Sequence, residues 1–401
     1  MTQTLLTKLL QPLRDIIAPQ AETINQQYPS EKLFFADFVA KLLFGYLYQV
    51  PSLRMLALEL KSNDVCRELG LSYTPFSTLK DGFARFPSYL CRQLFETVIA
   101  QSKLAQVGTL AEMGVFRVVD GSFFPTLLSM GWTAYRKTKN ACKLHLSFDL
   151  NQMIPAQFWV SSGKASERKF LLGILEVGLT YIADRGYFGF DVMAKIMQAK
   201  AFFVLRGKEK VLYRIVEKLP VVANLPSCFR SLTDELVLFS NDPQQNQVRL
   251  ITFQVYGSLF RLVTNRFDLT TQQVIILYAY RWQVELFFKF IKRTLNGLHL
   301  LNQSQNGVEI QFYLLLTLSV LLLEMKQTSQ AACGVAEEKA AGQKKSGEKS
   351  NPLWVSAGEW VRNIAQIFYE KWKISKGWLL VVKNSLAKVV DVELLRLLNS
   401  C

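Results

Sequence analysis

The chain has 401 residues, half of them apolar and a fifth charged; that length and mixture exclude a disordered or fibrous protein and allow a large core with more than one domain. Lysine and arginine outnumber aspartate and glutamate by 47 to 32, a net charge of +15, which points to a polyanionic partner, either nucleic acid or an anionic membrane surface. Six scattered cysteines (Cys66, Cys91, Cys142, Cys228, Cys333, Cys401) and two histidines, His145 and His299, provide neither zinc-finger spacing nor a dense disulfide framework.

The opening MTQTLLTKLLQPLRD lacks a signal-peptide cleavage pattern, and Leu5, Leu6, Leu9, Leu10 and Leu13 fit one helix face. Residues 1–110 read as helical. Within them SLRMLALEL (52–60), NDVCRELGL (63–71, capped by Asn63) and PFSTLKDGFARF (75–86) are three short helices joined by tight turns. They fit a helix-turn-helix-like module for DNA ends, or equally a small bundle that packs on the core. The texture changes near residue 115. VFRVVDGSFF (115–124), KLHLSFDL (143–150) and IPAQFWVSSG (154–163) read as strands, ERKFLLGILEVG (167–178) as a helix, LTYIADRGY (179–187) as a strand, FDVMAKIMQAK (190–200) as a helix and AFFVLRGK (201–208) as a strand. Such an order predicts an α/β fold whose later strands run parallel through crossover helices. Between 209 and 265, LTDELVLFS, QVRLITFQVYG and LFRLVTN around the polar turn NDPQQNQ predict a β-rich insertion, and a long helix is predicted from Thr271 to Leu295. The longest apolar run, Phe312 to Leu323, is too short to cross a bilayer and contains Thr317 and Ser319. Residues 328–352 are small, polar and charged without periodicity, a linker pattern, and helical texture returns after Pro352. The expectation is a soluble cytoplasmic protein without a membrane partner.

The long helix is the most informative element. Tyr278, Arg281, Glu285 and Lys292 stand at i, i+3, i+7 and i+14, within an arc of roughly 60° at 100° per residue. Trp282, Lys289, Arg293 and Asn296 flank that arc, and the remaining circumference is apolar. A solvent-facing stripe with ordinary Arg281–Glu285 and Glu285–Lys289 pairs would explain the charges. The narrowness of the polar arc argues instead for a deeply set helix whose cations face an anion such as phosphate. Asp120 in VVDGSFF precedes a predicted Gly121–Ser122 turn, and Asp184 follows an apolar strand; a carboxylate at the C-terminal end of such a strand faces the ligand crevice. Asp149, ending KLHLSFDL, is a weaker candidate beside Asn151 and Gln152. Three carboxylates from two strands and a helix suit phosphoryl transfer with two Mg²⁺ ions roughly 4 Å apart, and a histidine-poor chain agrees with hard oxygen ligands.

These residues resemble those of a known family. Tyr278-Ala-Tyr-Arg281-Trp-Gln-Val-Glu285, followed by six residues and Lys292, is similar to the Y-(2)-R-(3)-E-(6)-K signature of DDE transposases of the bacterial insertion-sequence 4 family. Asp120 in VVDGSFF and Asp184 in ADRGYF resemble the first and second catalytic aspartates, with Glu285 the third carboxylate; the likeness extends over roughly 110–325. It implies an RNase H-like core, a mixed five-stranded sheet with flanking helices, interrupted by the β-rich insertion before the glutamate helix. It implies Mg²⁺ (or Mn²⁺) held by Asp120, Asp184 and Glu285, with cleavage at transposon ends, a hairpin intermediate and strand transfer. The partners would be double-stranded DNA, as terminal inverted repeats and as target, and a second copy of the chain in a homodimer. Tyr278, Arg281 and Lys292, with Lys289 and Arg293, would bind the DNA, and one of Tyr213, Phe239, Phe253, Tyr256 or Phe260 would stack on a flipped base. The organisation expected is therefore 1–110 helical; 111–208 and 266–327 catalytic core; 209–265 insertion; 328–352 linker; 353–401 C-terminal helical segment. A catalytically silent DNA-binding descendant and a nuclease that cuts without joining are the competing readings.

Overall fold

A computed structural model describes residues 5–127, 130–136, 139–221, 229–255 and 258–332. Most of the predicted linker, the whole segment 353–401, Tyr256, Cys228, Cys333 and Cys401 lie outside them. The chain opens with helices α1 (Leu5–Ile17), α2 (Ala21–Gln27), α3 (Phe35–Leu47), α4 (Leu53–Ser62), α5 (Asp64–Glu68), α6 (Phe76–Arg85), α7 (Ser88–Gln101) and the single turn α8 (Gly108–Ala111). Local chemistry sets their ends. Ser52 caps α4 by accepting from Met55 N, and Asn63 caps α5 by accepting from Val65 N.

Next come β1 (Phe116–Thr126), β2 (Ala134–Arg136), β3 (Lys139–Asp149), β4 (Ile154–Ser162), α9 (Glu167–Gly173), β5 (Thr180–Ala183), α10 (Phe190–Gln198) and β6 (Phe202–Arg206). Four further strands follow, β7 (Tyr213–Lys218), β8 (Phe229–Phe239), β9 (Gln247–Val255) and β10 (Ser258–Thr264). All belong to one mixed sheet in the order β2-β3-β1-β5-β6-β10-β9-β8-β7, with β4 pairing β3 from the side. Among the described strands, only β1–β5 and β5–β6 pair in parallel. All four residues of β5 are buried, as a strand covered on both faces requires, and α10 supplies its crossover to β6. The strands expected as an insertion thus extend the same sheet from β6, because β10 pairs antiparallel with that strand. Strand β7 was not anticipated: its exposed Arg214, Glu217 and Lys218 mark a sheet edge guarded by charge.

Three local expectations are corrected. Gly121 and Ser122 form no turn; β1 runs straight through them, paired with His145 and Leu144, because β3 offers an antiparallel partner along its whole length. The helix expected over 167–178 stops at Gly173. The single long helix is three pieces: α11 (Thr271–Tyr280), α12 (Trp282–Lys289) and a π-helical turn, Phe290–Thr294. Short i→i−3 bonds, Arg281 N to Tyr278 O at 3.1 Å and Val284 N to Arg281 O at 3.2 Å, break the ladder at Arg281, and Leu295 N bonds Phe290 O five residues back at 3.1 Å.

The last described element, α13 (Gln305–Ala332), is the central core helix and runs on through the first residues of the expected linker. Its Gln305–Thr328 portion is long and apolar enough to cross a membrane, but 78% of the most apolar window is buried inside the protein. The hydroxyls of Thr317 and Ser319 turn back onto the carbonyls of Tyr313 and Leu316, which satisfies them within the core. Phe312 meets Phe124 of β1 edge-on at 4.7 Å, and Phe287 of α12 packs on Phe148 of β3 at 5.3 Å. Those contacts seat α13 against the strand that carries Asp120 and the glutamate helix against that strand's neighbour β3.

Candidate active site

Strand register brings the two aspartates together. In the parallel β1–β5 pair the last partners are Val119 and Ala183, so Asp120 and Asp184 occupy the next position on adjacent strands, about 5 Å apart at the backbone. Asp120 continues within β1, whereas Asp184 begins the turn into α10. Each carboxylate accepts a nearby backbone N–H: Gly121 N to Asp120 Oδ1 at 2.7 Å and Gly186 N to Asp184 Oδ1 at 2.8 Å. Gly186 suits its place, since a Cβ there would stand only 3.0 Å from Asp184 Oδ1.

The helix supplies the rest. Arg281, at the break between α11 and α12, donates from Nη2 to Glu285 Oε1 at 2.6 Å and reaches Asp120 Oδ2 with Nη1 at 3.4 Å. It is therefore set among the carboxylates, not at their rim. Tyr278 lies beneath it, with the guanidinium 5.9 Å from the ring centre. Lys292, on the π turn, donates to Ser122 Oγ at 2.8 Å and sits 4.7 Å from the ring centre of Phe124, so β1 and the helix meet at both Asp120 and Ser122. Lys289 stacks on its own helix, over Trp282 at 4.9 Å, and Arg293 is exposed. Asp149 takes no part: it pairs with Arg117 at the far end of β1 and caps the following turn by accepting from Gln152 N at 3.0 Å.

Burial dominates the electrostatics. It raises the Asp120 carboxyl to about 7, Arg281 and the Gly121 N–H pull it back, and the Asp184 and Glu285 charges push it further up. Burial likewise lowers the Lys292 ammonium and raises the Tyr278 phenol, while the negative groups around Arg281 outweigh its burial and raise it. An acidic group whose burial resists its ionisation, with all-oxygen donors beside it, fits a hard divalent cation. Among the described residues, however, no three ligating side chains converge closely enough to cage an ion. Arg281 gives the physical reason, because its guanidinium already occupies the position between Asp120 and Glu285.

Ser122, Lys143 and Glu167 were not anticipated. Lys143 and Glu167 form a largely buried ion pair close behind the aspartates. The signal for Lys143 was there, a lone cation opening the largely apolar run KLHLSFDL; a glutamate opening a helix gives no such signal. Of the aromatic candidates for base stacking, Phe239 and Phe253 are buried in sheet packing, and Phe253 lies parallel to Phe260 at 5.3 Å.

Comparison with known proteins adds a separate line of support. The sequence model of the family described as "Transposase DDE domain" matches residues 112–321. A Sinorhizobium fredii protein named as transposase y4zB is 26% identical over 240 residues, which span 59% of this chain and 67% of that protein. A Geobacillus stearothermophilus protein named as the transposase for insertion sequence element IS5377 is 22% identical over 308 residues, 75% of this chain and 79% of its own length.

Proposed function

Because the chain belongs to the family of transposases with a DDE domain, we propose that it is an insertion-sequence transposase of the insertion-sequence 4 type, acting by cut-and-paste through Asp120, Asp184 and Glu285. The observation that carries this reading is the neighbouring register of Asp120 and Asp184 together with the Arg281 link between Asp120 and Glu285. In the same reading the core (111–208 and 266–327) is RNase H-like, and β7–β10 constitute an insertion that extends its sheet.

Asp120, Asp184 and Glu285 would hold divalent metal, which when bound activates the attacking oxygen and stabilises the leaving one. Before DNA arrives, Arg281 neutralises the carboxylates. A DNA phosphate competes for its guanidinium, which matches phosphate geometry as well as carboxylate geometry, so substrate binding frees the carboxylate oxygens as it engages the arginine. Lys292, anchored on Ser122, and Tyr278 would then orient the scissile phosphate and stabilise charge spread over its oxygens. Attack by water on phosphorus breaks the P–O3′ bond at the element's end and leaves a 3′-hydroxyl. That hydroxyl would attack the opposite strand to close a hairpin, which reopens before strand transfer into target DNA by a paired dimer.

The test uses linear DNA bearing the element's own ends with Mg²⁺. Glu285→Gln should lower end cleavage by a factor on the order of 10³ while end binding by gel shift persists. Cleavage retained in Glu285→Gln and Asp120→Asn would remove the assignment. Binding with no cleavage by the natural chain would instead make it a silent DNA-binding descendant, and cleavage without joined products a nuclease.

A further inference from the structure

Behind Asp120 and Asp184 lies a second set of buried polar groups that the reading above does not use. Glu167, the first residue of α9, pairs through Oε1 with Lys143, whose side chain is only 8% exposed. This pair presses against β1 beside Asp120 and against the turn that follows Asp184. A Cβ on Gly121 would stand 2.7 Å from Lys143 Cε and 2.9 Å from Glu167 Oε1. A Cβ on Gly186 would stand 3.0 Å from Asp184 Oδ1 and 3.4 Å from Glu167 Oε2. With Oε1 committed to Lys143, Oε2 therefore faces the same small space as the Asp184 carboxylate.

Arg168 fastens this arrangement. Its Nε donates to Gly186 O at 3.2 Å and its Nη2 to Phe188 O at 2.7 Å, so the start of α9 and the Asp184 loop are tied together. Tyr187 completes it. Its ring is fully buried, yet its hydroxyl finds no hydrogen-bond partner among the described residues. Tyr187 is tied to the same turn by its backbone N–H, which donates to Asp184 O at 3.2 Å; burial raises its phenol well above the ordinary value, and the charges of Glu167, Asp120 and Asp184 raise it further. A buried hydroxyl left unsatisfied by the protein marks a place where something polar binds.

We infer that Glu167 and Tyr187 are positioning residues for the divalent cation that Asp120 and Asp184 would hold, with Glu167 Oε2 accepting hydrogen bonds from the ion's water ligands and the Tyr187 hydroxyl donating to the carboxylates that grip it. The inference rests on the ligand assignment made above. Small divalent cations keep several waters and take only one or two carboxylates directly, so groups that hold those waters and orient those carboxylates govern affinity. Lys143 holds Glu167 Oε1 in place, and α9 presents the side chain from its first residue.

Mn²⁺ titration of the full chain by calorimetry, backed by thermal unfolding with and without Mn²⁺, tests this. Glu167→Gln should weaken Mn²⁺ binding roughly 10–100-fold, and Tyr187→Phe should weaken it severalfold while leaving metal-free unfolding unchanged, since that hydroxyl has no hydrogen bond to lose among the described residues. Tyr187→Phe alone decides the matter if Glu167→Gln, which strands Lys143, fails to fold. Mn²⁺ affinity within about twofold of the natural chain in these variants, beside a clear loss in Asp120→Asn, would overturn the positioning role and leave the ligand assignment standing. Equal binding by Asp120→Asn as well, or no Mn²⁺ binding by the natural chain, would remove the ligand assignment and this inference with it.

Discussion

Asp120 holds its proton more tightly in the folded chain than an ordinary aspartate does, near 7 against about 3.9. The stability this group contributes is therefore fully present below about pH 4 and is lost as the pH rises through 7, a change on the order of 4 kcal/mol. Without metal, Asp120→Asn should be more stable than the natural chain at pH 8, with the difference shrinking toward pH 4; urea denaturation at the two pH values measures it, and a pH-independent difference would contradict the account. Lys292 presents a different case, since its ammonium is partly desolvated and anchored on Ser122. Lys292→Ala should weaken DNA binding and lower the slope of log affinity against log salt by roughly one phosphate contact. An unchanged slope, read by fluorescence anisotropy, would take Lys292 off the DNA path.

The glutamate helix starts where it does because buried charge fixes its first turn. Arg249 of β9 pairs through Nε and Nη2 with Asp234 of β8, and Asp234 Oδ2 also accepts from Thr271 Oγ1, the first residue of α11, at 2.7 Å. The same guanidinium donates to Arg266 O and Leu269 O just before that helix, while Thr270 and Gln273 close a capping box. Removing one partner of so buried a pair leaves an uncompensated charge, so Asp234→Ala should cost about 3–5 kcal/mol in chemical denaturation. A loss below 1 kcal/mol would mean that β8 and β9 do not hold this helix in place. The helix stripe was readable because Tyr278, Arg281, Glu285 and Lys292 follow helical periodicity. Its break at Arg281 and the π turn were not, since neither glycine nor proline marks them. Gly121–Ser122 misled for the opposite reason: Lys143 and Glu167 leave no room for a Cβ at Gly121, Ser122 accepts from Lys292, and the backbone stays extended.

Across the whole molecule one buried apolar cluster runs from Leu9 of the first helix to Leu323 of α13, taking in strands β1 and β3. Polar ties cross the same boundary: Ser88 Oγ donates to Glu309 Oε2 at 2.7 Å, and Asn306 Nδ2 donates to the carbonyls of Phe83 and Phe86. The N-terminal helices thus share a core with the sheet. A chain truncated to residues 112–332 would expose the α13 face that α7 covers, and it should fail to fold or aggregate, whereas the full chain should unfold in one transition by calorimetry. A soluble, cooperatively folded fragment would show the helices to be dispensable for the core. Sequence could name most of the strands but not their order, because the pairing of β10 with β6 joins residues far apart in the chain and no local pattern records it.

The side-by-side placement of Asp120 and Asp184 depends on counting along two short strands. Losing or gaining one codon within 116–119 or 180–183 would turn every later side chain of that strand to the opposite face, leaving composition, charge and apolar content almost unaltered while pulling one aspartate out of the crevice. The polar turn between β8 and β9, at 240–246, separates no such pair and can change length freely. In a lineage of drifting copies, in-frame length changes should therefore pile up in that turn and silence the chain wherever they touch β1 or β5, so that an intact residue count across these eight positions is a sharper mark of a working copy than overall similarity.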